Sequence, residues 1–250
     1  MTVGSLGAEV RRSRIRESLE TDGSLDLARA AEELGVSEMT VRRDLAELER
    51  QGLVRRVRGG AVAVEPERFD RRAARNNTAK ARIAAKLQAL VPTRGFVAMD
   101  SSSTIYRLAA GLSVNTAMTV VTTGLETFQA LRGVGVDTIL SGGEFEAATD
   151  AFVGPVAVRA INDFRFDRAF LGASGLDSDR GALDSTLANA DVKRAIRRAS
   201  ASVVVALDVS KLEAASAVVA LRLPEIDLLV TELDPADSRL DPYRDCLELL

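Results

Sequence analysis

Five short stretches of this chain place hydroxyl-bearing and glycine residues directly after apolar, β-branched runs. They are Asp100-Ser101-Ser102-Ser103-Thr104, Thr122-Thr123-Gly124, Ser141-Gly142-Gly143, Gly172-Ala173-Ser174-Gly175 and Asp208-Val209-Ser210-Lys211. Hydroxyl and backbone N–H donors gathered at a helix start bind anions, and Lys211 adds a cation. Such a set suits a small phosphorylated, hydroxylated ligand. Taken singly, each stretch also suits a cap or a tight turn. Their recurrence after successive strands favours a shared site. A second chemistry lies in arginines: Arg42 and Arg43 in one run, Arg55, Arg56 and Arg58 in another. Guanidinium groups read guanine edges and hold phosphates.

Composition excludes much else. The 250 residues contain no histidine, no tryptophan and one cysteine, Cys246. The missing histidines remove Ser-His-Asp catalysis, histidine metal sites and histidine pH switches. One cysteine cannot build a disulfide framework or a cysteine zinc cluster within the chain. No catalytic set, metal site or cofactor is expected. Aromatic residues at 4% leave no stacking platform for single-stranded nucleic acid. No signal-peptide core is seen, and no apolar run approaches the roughly 18 residues of a membrane span. A soluble, cytoplasmic protein with no membrane partner is expected.

The net charge of −3 hides a gradient. Residues 65–86 carry seven basic and three acidic side chains, whereas residues 87–250 carry 15 basic and 22 acidic ones. An acidic C-terminal part argues against a DNA-coating architectural protein.

The elements that must position these groups follow from periodicity. Val10, Ile15 and Leu19 suggest a helix over 9–22. A second helix begins at Ser24, with Leu27, Ala31 and Leu34 on one face, and stops at Gly35. Ser37 caps a third helix, Glu38 to Gln51, with Val41, Leu45 and Leu48 inward and Gly52 as its end. Two helices across a short glycine-containing turn form a helix-turn-helix. On the third helix Arg43 points straight away from the core, and Met39 lies close to that direction. Arg43 is placed to read base edges. Arg42 and Thr40 flank it for phosphate contact. Residues 53–64 alternate around Gly59-Gly60 and read as a two-stranded wing carrying Arg55, Arg56 and Arg58.

This stretch, ELGVSEMTVRRDLAELERQGLVRRVRGGAV, resembles the winged-helix signature of DeoR-type bacterial transcription regulators. The resemblance rests on Leu34 to Ser37, Thr40 to Leu45, Leu48-Glu49, Gly52, Arg56 and Gly59 to Ala61. The family often has histidine where Arg58 stands. Arginine there keeps a phosphate contact and removes pH sensitivity.

Residues 65–79 read as a linker, anchored by Phe69. Arg71, Arg72 and Arg75 there are either a solvated hinge or an extension of the DNA footprint. From residue 80, apolar runs at 96–100, 119–122, 137–140, 166–171, 202–207 and 228–231 alternate with helical stretches at 79–91, 104–112, 124–133, 151–163 and 187–200. This pattern predicts an α/β fold with a mostly parallel sheet covered on both faces. Ligands bind beyond the C-terminal strand ends of such sheets. The expected division is a winged helix-turn-helix over 9–64, a linker over 65–79 and an effector-sensing α/β domain over 80–250.

The later part is similar to the sensor domain of the same family, which resembles ribose-5-phosphate isomerase in fold. Asp100, Ser103-Thr104, Thr122, Gly142-Gly143, Ser174-Gly175, Lys193 and Asp208 with Lys211 match. The resemblance implies a phosphorylated sugar or related metabolite that controls release from a double-stranded operator, by a homodimer or homotetramer. It brings Lys193 into an effector site of Asp100, Ser102, Ser103, Thr104, Thr122, Thr123, Gly142, Gly143, Gly172, Ser174, Gly175, Lys193, Asp208 and Lys211. The chain departs from the family at Ser102, Thr123 and Asn189, where glycine, asparagine and glutamate are usual. An isomerase with an added DNA-binding domain is the competing reading. Isomerases of this fold carry an acidic cluster where this chain has Phe166-Asp167-Arg168-Ala169-Phe170-Leu171, so only Asp167 and Lys193 remain as a weak catalytic pair.

Overall fold

The computed structural model describes residues 3–50, 53–63, 68–113 and 117–250. The N-terminal part runs α1 (Val3–Asp22), β1 (Ser24–Asp26), α2 (Leu27–Leu34), α3 (Glu38–Arg50), β2 (Val54–Val57) and β3 (Gly60–Ala63). The second helix starts three residues later than periodicity suggests. Ser24 to Asp26 instead pair antiparallel with Val62 to Gly60, and the Asp26 carboxylate caps α2 by accepting from Arg29 N at 2.9 Å. Gly60 makes this pairing possible, since a Cβ there would lie 1.8 Å from the Leu25 carbonyl oxygen. Gly35 ends α2 in the left-handed region, φ 64°. Ser37 Oγ accepts from Thr40 N at 3.3 Å. Gln51 and Gly52, expected to end the third helix, lie outside the described residues.

Ile15, Leu19, Leu27, Val41, Leu45, Leu48 and Val54 form the core of this part. Val10 does not join it and is exposed, because it stands some 140° round the helix from Ile15 at about 100° per residue. Arg11 pairs with the buried carboxylate of Asp44 and pins α1 to α3.

The expected linker is largely helical where it is described. Its α4 (Phe69–Ala74) and α5 (Asn77–Gln88) pack on the C-terminal part of the chain. Phe69 is buried edge-on against Tyr106, with ring centroids 5.4 Å apart.

The remaining elements are β4 (Arg94–Met99), α6 (Ser103–Ala110), β5 (Ala117–Thr122), α7 (Leu125–Gly133), β6 (Asp137–Leu140), β7 (Glu144–Glu146), β8 (Ala151–Val153), α8 (Gly154–Asn162), β9 (Arg168–Leu171), β10 (Gly175–Asp177), β11 (Gly181–Asp184), α9 (Leu187–Ala199), β12 (Val203–Ala206), β13 (Val218–Leu221), β14 (Leu228–Val230), α10 (Asp241–Arg244) and β15 (Glu248–Leu249). Seven strands make one parallel sheet in the order β15-β14-β12-β9-β4-β5-β6. Alternate residues feed two cores. Val97 and Met99 join Ile83, Leu87, Ile105 and Leu108 on one face. Ala98, Ala169 and Leu171 join Ala157, Ile161, Val192 and Ile196 on the other. Two antiparallel additions go beyond the expected alternation: the β7–β8 hairpin and the sheet β10-β11-β13. From β4 the chain moves outward through β5 to β6, and from β9 it moves the other way through β12 to β14. The switch point lies between β4 and β9, where a crevice opens beyond the strand ends.

Candidate functional site

The arginines expected to contact DNA are exposed on α3 and the β2–β3 hairpin. Met39 is 59% exposed, and Arg42, Arg43, Arg55, Arg56 and Arg58 are all exposed. Their pairing differs. Arg42 reaches Glu38 at 3.4 Å, and Arg56 Nε donates to Glu49 at 2.6 Å. Arg56 N also donates to Glu49 at 2.9 Å, and these bonds with the Arg56 charge hold the Glu49 carboxyl below its usual pKa. Thr40 and Ser37 share a hydroxyl contact of 3.0 Å at the start of α3. Among the described residues, Arg43, Arg55 and Arg58 make no side-chain hydrogen bond or ion pair, so their donors face solvent. A helix N-terminus and three such exposed guanidinium groups suit a polyanion.

The second site lies at the switch point. The ends of β4, β9 and β12 supply Ser101 to Thr104, Gly172 to Ser174, and Leu207-Asp208 to one cavity of about 80 Å³. Ser102 caps α6 by accepting from Ile105 N at 3.3 Å. Ser103 and Thr104, in the first turn of α6, line the cavity, and a helix start suits an anion. Gly172 is required by close approach, because a Cβ there would stand 2.4 Å from Ser102 Cβ.

Of the expected effector residues, Ser102, Ser103, Thr104, Gly172, Ser174, Lys193, Asp208 and Lys211 line this cavity. Asp100 stands just behind it. Its carboxylate accepts from Ser102 N at 2.9 Å and from Gly172 N at 2.8 Å, so it ties the β4 and β9 loops together. Thr122, Thr123, Gly142, Gly143 and Gly175 do not line it. Thr122 Oγ1 accepts from Gly124 N at 3.1 Å, and the Thr123 carbonyl accepts from Phe152 N at 2.7 Å. Gly143 gives room to Val153, and Gly175 to Ala214. Gly142 takes φ 67° in the turn before β7. These five shape the scaffold.

Lys193 lines the cavity as a paired cation. Its ammonium donates to Asp184 and, at 2.8 Å, to the Gly172 carbonyl, and lies 3.4 Å from Asp100. Burial alone would lower its pKa, but the two aspartates outweigh burial and raise it. Lys193 is thus a buried, paired cation in the cavity lining.

Residues that periodicity does not single out also line the cavity: Arg72, Arg75 and Lys80 from the α4–α5 corner, Thr149, Asp184, Ser185 and Asn189 among them. In the sequence Arg72 and Arg75 belong to a basic run that suits a hinge or a DNA contact. In the fold they face the cavity instead.

The DeoR-like helix-turn-helix domain matches residues 11–67, and the DeoR C-terminal sensor domain matches residues 75–233.

The chain belongs to the DeoR family.

Curated relatives agree along nearly the whole length. The transcriptional repressor AccR of Agrobacterium fabrum is 34% identical over 89% of this chain and 88% of its own. The glycerol-3-phosphate regulon repressor of Escherichia coli is 30% identical over 94% of this chain and 95% of its own. Among solved structures, a ribose 5-phosphate isomerase from Methanocaldococcus jannaschii overlaps 55% of each chain at 14% identity and TM-score 0.42.

Within this DeoR-family frame two departures have a local account. Asn189 Nδ2 donates to Glu146 Oε2 on β7 and to Thr186 Oγ1 at 3.0 Å, so the carboxylate near this wall comes from β7. Ser102 serves as the cap of α6. Nothing in the structure explains Thr123. Asp167, the other half of the weak catalytic pair, sits at the opposite end of β9, where it accepts from Phe96 N at 3.0 Å.

Proposed function

We propose that this chain is a cytoplasmic transcriptional repressor whose hold on operator DNA is set by a small phosphorylated metabolite, a sugar phosphate or a close relative. The observation that carries the effector half is the cavity at the switch point. It joins the start of α6 and its hydroxyls to the basic residues Arg72, Arg75, Lys80 and Lys211. An N-terminal helix turn with several cations suits a phosphate, and hydroxyls with Asp208 suit a polyol. The DNA half rests on the family and on the outward arginines. The working division is a DNA-binding part of 9–64, a connector of 65–79 and a sensor of 80–250. A homodimer or homotetramer would present paired wings to half-sites about 10 base pairs apart, or a multiple of that spacing.

No turnover is expected. Enediol chemistry needs a base and an electrophile at the same substrate, and Asp167 and Lys193 stand at opposite ends of the sheet. The deciding experiment is a thermal-shift panel of pentose, hexose and triose phosphates, because a ligand of the folded state raises Tm by mass action. A phosphate that raises Tm should also weaken binding to an operator fragment. If no phosphate shifts Tm, the sensor reading fails; product formation would restore the isomerase reading.

A further inference from the structure

The cavity is not walled by the sensor alone. Asp22, Gly23, Ser24 and Ala63 of the DNA-binding part line it too. One residue that joins the two parts there is Arg75. Its Nη1 donates to the Thr21 carbonyl at 3.2 Å and pairs with the Asp22 carboxylate, both in the last turn of α1. The backbone beneath Arg75 is fixed from the sensor side. Lys80 Nζ donates to the Arg75 carbonyl at 2.8 Å. Asn76 takes φ 54°, a left-handed conformation that asparagine tolerates better than most residues. The Asn76 side-chain amide donates to Asp208 Oδ1 at 2.8 Å and to Ser210 Oγ at 3.1 Å. The corner between α4 and α5 is thus anchored to the end of β12, while its arginine grips α1.

Behind this pair lies a second cleft of about 460 Å³, between α1, β1 and α2 on one side and residues 210–215 on the other. Asp22, Ser24, Arg75 and Lys211 line both spaces. The Arg75–Asp22 pair is part of the partition between them. The surface that α1 turns to the cavity is electronegative: a helix C-terminus and a carboxylate. Arg75 neutralises it. An anion in the cavity meets a guanidinium already in use and a carboxylate that repels it.

We propose that Arg75 exchanges partners: a phosphorylated ligand draws it from Asp22 and Thr21, and the end of α1 is released from the sensor. This rests on reading the cavity as a phosphate site, and it names how occupancy reaches the DNA-binding part. The test uses the full-length protein, wild type and Asp22→Asn, with inorganic phosphate and glycerol 3-phosphate as probes. Asp22→Asn removes the competitor and keeps Arg75. Phosphate affinity should rise several-fold in Asp22→Asn, within the roughly 5–150-fold range of ordinary coupling. In wild type, phosphate should speed amide exchange over residues 19–23 and weaken operator binding. In Asp22→Asn, exchange there should be fast without ligand, and operator affinity should no longer depend on phosphate. Wild-type binding of phosphate with unchanged or slower exchange at 19–23 overturns the partner exchange and leaves the sensor reading intact. So does an Asp22→Asn protein whose operator affinity still responds as wild type does. Should neither these probes nor any sugar phosphate of the panel bind wild type, both readings are overturned.

Discussion

The ammonium of Lys193 lies 3.4 Å from the Asp100 carboxylate, and that carboxylate in turn binds the backbone N–H groups of Ser102 and Gly172. Asp184 contacts the same ammonium from β11. One cation thereby holds together the loops after β4 and β9 and the end of β11, the three pieces that frame the cavity floor.

Lys193→Met should leave two buried carboxylates without a counter-charge. Breaking such a cluster costs about 3–5 kcal/mol, which urea unfolding would register. The pH dependence has a definite sign. The folded pKa of Lys193 is raised above its ordinary 10.5. Its contribution is fully present below about 10.5 and is lost only as pH rises through the higher folded value. Wild-type stability should lose nothing from this group between about pH 6 and 9, and Lys193→Met should lack the alkaline leg. A variant as stable as wild type would show that the cluster is not a brace.

Arg43→Ala should cost about 1–3 kcal/mol on the operator and relax preference at one base pair. Arg58→Ala should weaken operator and random duplex alike and reduce the salt slope by about one unit. Fluorescence anisotropy over a salt series separates the two. Equal losses on random DNA for both variants would demote Arg43 to a phosphate contact.

Glu49→Gln should strengthen DNA binding. It removes a negative charge beside the hairpin arginines and frees the Arg56 guanidinium it now engages. Both groups are solvent-accessible, so the gain should be modest and should fade with added salt. Unchanged affinity at low salt would mean that Arg56 does not approach the duplex.

Gly60→Ala should destroy DNA binding while the sensor stays folded. The new Cβ would press on the Leu25 carbonyl, a backbone atom that moves only if β1 and β3 separate. Overpacking of this kind costs about 1–3 kcal/mol or more. Circular dichroism melts, alongside anisotropy, would show the split. Retained operator binding would mean that the three-stranded sheet is dispensable.

Much of this architecture is legible in the residues. The run Val203 to Ala206 is buried at every position, and such unbroken apolar runs mark parallel strands. Arg43 can be placed outward because Val41, Leu45 and Leu48 fix the helix face. The short strands are harder. Glu144-Phe145-Glu146 has three residues with little burial, too few for a period. Ser24 to Asp26 resembles a helix start because its last residue is itself a cap. The cavity walls are least legible. Arg72, Arg75 and Lys80 precede the sheet in sequence, and long-range contacts such as the packing of Phe69 on Tyr106, the bond of Arg72 to the Thr149 carbonyl and the bonds of Asn76 to the end of β12 bring them over its end. Lys193 matches by position, but its partners Asp100 and Asp184 come from separate strand ends, and those partners decide its role.

The last strand has a practical consequence. β15 pairs with β14 at the sheet margin, and Thr231 N donates to the Leu250 carbonyl at 3.1 Å. Clipping away β15 would bare a row of backbone donors and acceptors, an adhesive rim that invites aggregation. Affinity tags and fluorescent reporters for these assays therefore belong at the other terminus.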